Sequence, residues 1–319
     1  MKKLSERHVI DQIQKALSIR KKGRLWNDDI TVFNVGSKLI AFKCDMFVRS
    51  TDAPKQMRLW QMARKSIVSC TSDFACKGIK PLASLISLGI PKNFTRHDVS
   101  ELARGFTEAE REFHVNILGG DTNHSKTLVI DCCMVGLARK IIKRSGANNG
   151  DLIITSGPFG YSSAGLRILQ NRAKAKPYFI ERAKNSVLMP KARLRFGLHL
   201  ANYATSSMDS SDGLAITLYE ISEQSRKKFI IDSLPITNGV REFAKANGYN
   251  INKLVFEGGE EYEIVATLPK HNLKKVLALA RQSKCRVFVI GHVEAGSGVF
   301  IKRNIRLERI KKRGWDHLR

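Results

Sequence analysis

Apolar and polar positions alternate at Asp29-Ile30-Thr31-Val32-Phe33 and again at Leu39-Ile40-Ala41-Phe42, with Gly36 and Ser37 between. Such alternation across a turn predicts a β-hairpin. Antiparallel pairing about that turn would bring Asp29 within a residue or two of Asp45 at the open end. From Gln56 to Lys77 the period changes. Trp60, Ala63, Ile67, Cys70 and Phe74 recur at steps of three and four, which predicts a helix with one buried face ending near Gly78. Asp73 falls near its C-terminus, where the dipole disfavours a negative charge, so a compensating positive group is expected. Val99, Leu102, Phe106, Ala109 and Phe113 predict a second helix, with Asp98 and Glu101 as its capping box.

Beyond these helices the punctuation is glycine. Gly119 and Gly120 predict a sharp turn presenting Asp121 ahead of a strand near Leu128 to Val135. The polar stretch KRSGANNGD, Lys143 to Asp151, is the expected domain boundary, dividing the chain into residues 1–142 and 143–319. Leu152 to Thr155 reads as a short strand, followed by SGPFGYSSAGL, a strand-to-helix junction of the kind that holds anions on backbone amides. SSMDSSDGL sets Asp209 and Asp212 at the mouth of a further helix, with more capping side chains than a cap needs. EGGEEYEIVATL places Glu260 and Glu261 ahead of a strand with Tyr262, Ile264, Ala266 and Leu268 on one side. CRVFVIGHVEAGSGVFIKR predicts a closing hairpin with Gly296 to Gly298 in its loop.

With 319 residues and 43% hydrophobic content, the chain is long enough for two domains. Its apolar runs are too short and too broken by charge for a membrane span, and Met1 to Arg20 reads as an amphipathic helix rather than a signal peptide, so the cytoplasm is expected. Six cysteines without CxxC spacing are expected to be reduced and mostly buried. The formal net charge of +26 raises a nucleic-acid reading, but the charge is spread along the chain. Only Lys302 to Arg313 is a dense basic run, and no RNA- or DNA-binding signature accompanies it, so solvated faces are expected to account for most of the charge, with anionic small molecules the next reading and nucleic acid the third.

Asp28, Asp29, Asp45, Asp73, Asp121, Asp209 and Asp212 all stand at element ends, beside turns or on polar helix edges, without adjacent Lys or Arg. Brought together, they would repel by roughly several kcal/mol unless cations neutralise them. Magnesium suits them, because it takes hard oxygen ligands and leaves positions for phosphate. No GxGxxG or GxxxxGK[ST] is present, which removes the usual Rossmann and P-loop readings.

Nine stretches in order, NDDITVF, CDMFV, SDFACKGIKP, GGDT, RSGANNGD, SSAGL, MDSSDGL, GGEEYEI and GWDHL, span residues 27 to 318. Together they resemble the thiamine-monophosphate kinase family. Its superfamily also holds aminoimidazole ribonucleotide synthetase, selenophosphate synthetase and a hydrogenase-maturation dehydratase. The resemblance implies an α+β fold: an N-terminal sheet-and-helix domain that dimerises, a C-terminal α/β domain, and ATP in the cleft between them. It implies ATP-dependent phosphorylation of thiamine monophosphate in a homodimer. Mg2+ is the implied cofactor, ATP the co-substrate, and K+ a further candidate.

By motif match, Asp29, Asp45, Asp73, Asp121 and Asp209 are the implied magnesium ligands, with Asp212 on a further ion and Asp45, Asp121 and Asp209 central to catalysis. Cys44 stands where the family has a hydroxyl ligand. A thiol suits magnesium poorly, so only its backbone oxygen could serve. Gly120, Asp121, Arg144 and Ser211 would meet ATP, and Asp52, Glu260 and Trp315 thiamine monophosphate. Asn27 for glycine, Asp52 for histidine and Glu261 for aspartate depart from the family pattern. The acceptor phosphate is already ionised at neutral pH, so no histidine has to act as a base. A sister ATP-dependent activity, or a basic nucleic-acid-binding protein with a degenerate site, are the alternatives.

Overall fold

A computed structural model describes residues 5–16 and 28–315. Helix α1 (Glu6–Ala16) is followed by strands β1 (Thr31–Val35) and β2 (Lys38–Val48), the short helix α2 (Arg49–Asp52) and helix α3 (Leu59–Cys76). Then come β3 (Lys80–Ile90), α4 (Arg96–Phe113), β4 (Asn116–His124) and β5 (Val129–Ala138). The expected hairpin forms about Gly36 and Ser37, with Thr31 opposite Phe42. Five strands make one sheet in the order β1-β2-β5-β3-β4, antiparallel except for β3 beside β4. α3 and α4 cover one face, through Met62, Ile67, Cys70 and Phe74 from α3 and Leu102, Ala109 and Phe113 from α4.

Two details of this half differ from the sequence reading. The α4 cap is Thr95: its hydroxyl accepts from the Asp98 N–H (3.2 Å), while the Asp98 carboxylate accepts from the Thr95 N–H (2.8 Å). The capping box therefore starts three residues earlier than Asp98 and Glu101. Gly119, Gly120 and Asp121 lie inside strand β4, not in a turn, where Gly120 pairs with Ile86 and Asp121 with Ser87. A Cβ on Gly120 would stand 1.7 Å from the Ile86 carbonyl oxygen, so glycine there serves a close strand approach.

The second half contributes β6 (Leu152–Thr155), α5 (Tyr161–Leu169), α6 (Pro177–Leu188), α7 (Leu194–Leu200), β7 (Ser206–Asp209) and α8 (Leu214–Ser225). It continues through β8 (Lys228–Ile231), α9 (Asn238–Ala246), α10 (Ile251–Phe256), β9 (Ile264–Leu268), α11 (Leu273–Gln282), β10 (Phe288–Glu294), β11 (Gly298–Arg303) and β12 (Arg306–Arg309). Their sheet has the order β12-β11-β8-β10-β6-β9-β7. The closing hairpin expected of β10 and β11 does not form, because β8 lies between them, parallel to β11 and antiparallel to β10. β11 pairs instead with β12. All five residues of β9 are buried, so both its faces are covered and the expected one-sided pattern is absent.

The two halves share an apolar seam. Ala75, Cys76 and Ile142 pack with Phe196, Leu200 and Ile264. Polar bonds cross it too: the Ser207 hydroxyl donates to the Cys76 carbonyl, and Gln56 Nε2 to the Leu169 carbonyl (2.7 Å). Among the described residues no helix is long and apolar enough to cross a membrane.

Candidate active site

Strand β7 ends on Asp209 against the last turn of α3, and this junction gathers carboxylates. Ser72 of α3 donates its hydroxyl to Asp209 Oδ2 (2.8 Å). Oxygens of Asp29 and Asp209 and the Cys76 sulfur lie within 4.8 Å of one another, all buried. Counting back from the Thr31–Phe42 pair, Asp29 falls opposite Cys44 and next to Asp45, as the hairpin register requires. Burial lifts the Asp73 carboxyl well above its ordinary range, Lys43 opposes the shift, and Asp209, Asp29 and Asp45 add to it. The hairpin register sets Asp45 beside Asp29, Asp29 lies within 4.8 Å of Asp209, and Asp73 follows Ser72, the bonding partner of Asp209, so four of the implied metal ligands gather in one cluster. Asp209 is pushed up to about 7, first by burial and then by the Asp29 charge.

The cluster contains cations that sequence reading missed. Lys43 Nζ lies 2.7 Å from Asp73 Oδ2, which supplies the positive group expected near the end of α3. Lys77 is fully buried, with Nζ 2.6 Å from Asp28, 2.7 Å from Asp29 and 2.6 Å from the Ser207 carbonyl. Arg144 donates from Nε to Asp29 Oδ1 (3.0 Å) and through its backbone N–H to Asp28 (3.1 Å). Burial alone would raise the Asp29 carboxyl, but Arg144 and Lys77 outweigh it and hold the group well below the usual carboxylate range. Although no Lys or Arg is adjacent to these acids in sequence, the fold brings Lys43, Lys77 and Arg144 against them. The signal was available: Lys43 is two residues from Asp45, on the same side of its strand, and Lys77 is one helical turn beyond Asp73.

Loops of the second half close the other side. The Ser211 carbonyl accepts from the Glu260 N–H (2.6 Å), and the Asp212 carbonyl from the Trp315 N–H (3.0 Å). Ser211, Asp212, Glu260 and Trp315, far apart in sequence, therefore meet at the mouth of α8. Lys65, buried within α3, reaches across to Glu260 Oε1 (2.5 Å) and donates to the Asp52 carbonyl (2.8 Å). The buried Tyr262 hydroxyl is raised well above its ordinary range by burial, then by the charges of Glu260, Asp45, Asp209 and Asp52. Lys65 and Tyr262 had no signal in composition or spacing.

The Gly/Ser junction before α5 does hold an anion on backbone amides, and the anion is the chain's own. Glu261 Oε1 accepts from the N–H groups of Gly160 (2.6 Å) and Ser162 (3.2 Å). Burial pushes the Glu261 carboxyl up to about 7, although those bonds favour its ionised form. Between about pH 4.5 and 7 the folded state thus binds more protons at this group than the unfolded chain, so its contribution to stability falls as pH rises through that window. Glu261→Gln should flatten this part of the profile by up to roughly 3 kcal/mol at about 1.4 kcal/mol per pKa unit. Urea midpoints at pH 5 and pH 7.5 for both proteins measure it.

Three implied residues stand apart from the cluster. Asp121 is exposed, and its row across the sheet, through Ser87, Asp131 and Met46, alternates with the row through Asp45 and Cys132. Strand alternation therefore directs Asp121 to the opposite face of the sheet from Asp45. Gly120 is its neighbour on β4. The Cys44 thiol also turns away from the cluster and donates to Asp131 Oδ2 (3.4 Å), with burial and Asp131 pushing it up to about 12. Asn27 and the residues after Trp315 lie outside the described part of the chain.

The donor set suits a hard divalent ion. Asp29 and Asp209 offer carboxylate oxygens at close range, whereas Cys76 is raised by burial and stays a neutral thiol, a poor ligand for magnesium. Beside Asp209, the buried Ser210 hydroxyl has no hydrogen-bond partner among the described residues.

Comparison with known proteins points to one family. Residues 27–138 match the model of the family described as AIR synthase related protein, N-terminal domain. A thiamine-monophosphate kinase of Nitrosopumilus maritimus is 45% identical over 320 residues, covering 100% of both chains. One from Pyrococcus horikoshii is 35% identical, covering 92% of this chain and 90% of its own. The solved structure described as AaThiL complexed with AMPPCP and TMP superposes with a TM-score of 0.87 at 27% identity, covering 98% of this chain and 97% of that one.

Proposed function

Because the chain belongs to the thiamine-monophosphate kinase family, we propose that it transfers the γ-phosphoryl group of ATP directly to thiamine monophosphate, giving thiamine diphosphate and ADP. The observation that carries this reading is the convergence of Asp29, Asp45, Asp73 and Asp209 where the two sheets meet.

The chemical obstacle is bringing two polyanions together. Mg2+ held by Asp29, Asp45, Asp73 and Asp209, with Asp212 on a further ion, would supply charge neutralisation on the transferring phosphates. The chain's own groups do the rest. Arg144 and Ser211 face the nucleotide, and the N-terminus of α8, opening at Ser210–Gly213, offers the positive end of a helix dipole to phosphate. Glu260, Asp52 and Trp315 orient thiamine monophosphate, whose attacking oxygen is already ionised, so the site needs position more than a base. The Cys44 side chain has no part in this. Only its carbonyl could reach an ion.

We propose a homodimer through the free face of the first sheet. Phe33, Met46, Leu85 and Leu137 are all exposed there, Met46 by 62%, and Phe33 stacks on Phe42 at 5.3 Å. An apolar sheet face of this kind fits a second copy of itself. Asp121 lies on the dimer-facing side, so its part in nucleotide binding would depend on that dimer. Leu85→Asp should give a monomer by analytical ultracentrifugation, with turnover reduced at least tenfold. Retention of the dimer would contradict the interface. The division between the two domains is assigned at residues 142 and 143. The cytoplasm is the proposed location, in keeping with six free cysteines.

An ADP-release panel tests the activity. ADP should appear with thiamine monophosphate, matched one to one by thiamine diphosphate, and not with aminoimidazole precursors, selenide or a carbamoylated protein. ADP with one of those instead would move the chain to a sister activity.

A further inference from the structure

The carboxylate cluster is not simply negative. Asp28, Asp29, Asp45, Asp73 and Asp209 bring five carboxylates, and Lys43, Lys77 and Arg144 bring three fixed cations into contact with them. Each lysine sits where an ion would bridge two acids. Lys43 bonds Asp73 and acts on Asp45, and Lys77 lies between Asp28 and Asp29 within bonding distance of both. Lys77 is fully buried and also bound to the Ser207 carbonyl, whereas Lys43, half-buried on β2, is tied to α3 through Asp73.

We propose that Lys43 and Lys77 are resident cations that permanently hold two of the cluster's cation positions, leaving a single divalent-ion position, at Asp209, in the nucleotide-free protein. The pairing agrees: Lys43 is bonded to Asp73, and Lys77 and Arg144 to Asp28 and Asp29, so of the five carboxylates Asp45 and Asp209 are left without a bonded cation among the described residues. The partner lists agree as well. Asp209 has only the Ser72 hydroxyl, and Asp45 has no direct ion-pair partner among the described residues. Further ions enter only with the negative charge of a nucleotide. This inference rests on the metal reading given above and assigns the chain's own cations a share of it.

The test is a Mn2+ titration of the full-length, nucleotide-free protein, with free Mn2+ followed by electron paramagnetic resonance. The unmodified chain should bind one ion, Asp209→Asn none, and Lys43→Ser and Lys77→Met two each, with circular dichroism confirming that each variant is folded. No ion, or two or more, on the unmodified chain overturns the proposal. So does an unchanged count of one in both folded lysine variants. If neither lysine variant folds, the counts for the unmodified chain and Asp209→Asn still decide. Thiamine diphosphate formation assayed alongside separates the two claims: one ion per chain without turnover sinks the kinase reading and leaves the resident cations standing.

Discussion

Asp209→Asn should lower turnover at least 1000-fold while making the protein more stable. The loss follows from position. Asp209 ends β7 inside the cluster, its partner is a serine hydroxyl, and no cation pairs with it among the described residues, so a metal ion is its natural counter-charge. A 1000-fold loss corresponds to about 4 kcal/mol of transition-state stabilisation. The gain follows from burial. Its carboxyl is pushed up to about 7 from 3.8, so the folded state binds more protons across that window and loses stability as pH rises through it. An amide removes that penalty while still accepting from Ser72. At pH 8 with a chelator present, the variant should be more stable by roughly 1–3 kcal/mol. Activity from a coupled ADP assay and stability from urea unfolding must move in opposite directions. A carboxylate with a purely structural role would lose both.

Glu260→Gln should both destabilise the fold and weaken the hold on thiamine monophosphate. Lys65 is 2% exposed, and Glu260 is the only carboxylate it pairs with among the described residues. Removing that charge leaves a buried ammonium without a counter-charge, held only by neutral acceptors such as the Asp52 carbonyl and by the Phe47 ring, which for a fully buried pair costs about 3–5 kcal/mol. Glu260 is itself 38% exposed, so solvent screening brings the expectation down to about 2 kcal/mol. A double-mutant cycle separates the two roles. Adding Lys65→Met should restore stability, because no unpaired charge remains, but should leave KM for thiamine monophosphate raised by about tenfold, equivalent to about 1.4 kcal/mol. If the double variant regains both, Glu260 only latches the two halves together.

The parts of this structure legible in sequence are the ones governed by near neighbours. Gly36 and Ser37 with flanking alternation located the first hairpin, and the spacing from Trp60 to Phe74 located α3. Long-range pairing was not legible. Valine-rich β10 followed by Gly296 to Gly298 reads as half of a hairpin, yet β8, from some sixty residues earlier, takes the place beside it. Gly119-Gly120 reads as a turn, because the steric demand it meets, the Ile86 carbonyl on a neighbouring strand, lies outside its own segment. At the site, the acids were visible as residues that a core would not otherwise tolerate. Lys43, Lys65 and Lys77 were not, since in a chain with 55 Lys and Arg a lysine carries little information until its burial is known. Glu261 shows the same limit from the other side: the amides of Gly160 and Ser162 were expected to hold an anion, but only the fold shows that a side chain a hundred residues away fills them.

What everything else depends on is that carboxylates from both sheets hold a divalent ion against a nucleotide's phosphates. Crystals grown with Mn2+ and a non-hydrolysable ATP analogue test this most directly through anomalous diffraction. The account requires a manganese peak within about 2.5 Å of an Asp209 oxygen and a phosphate oxygen together. Manganese peaks only elsewhere, with Asp209 still bonded to Ser72 alone, would contradict it.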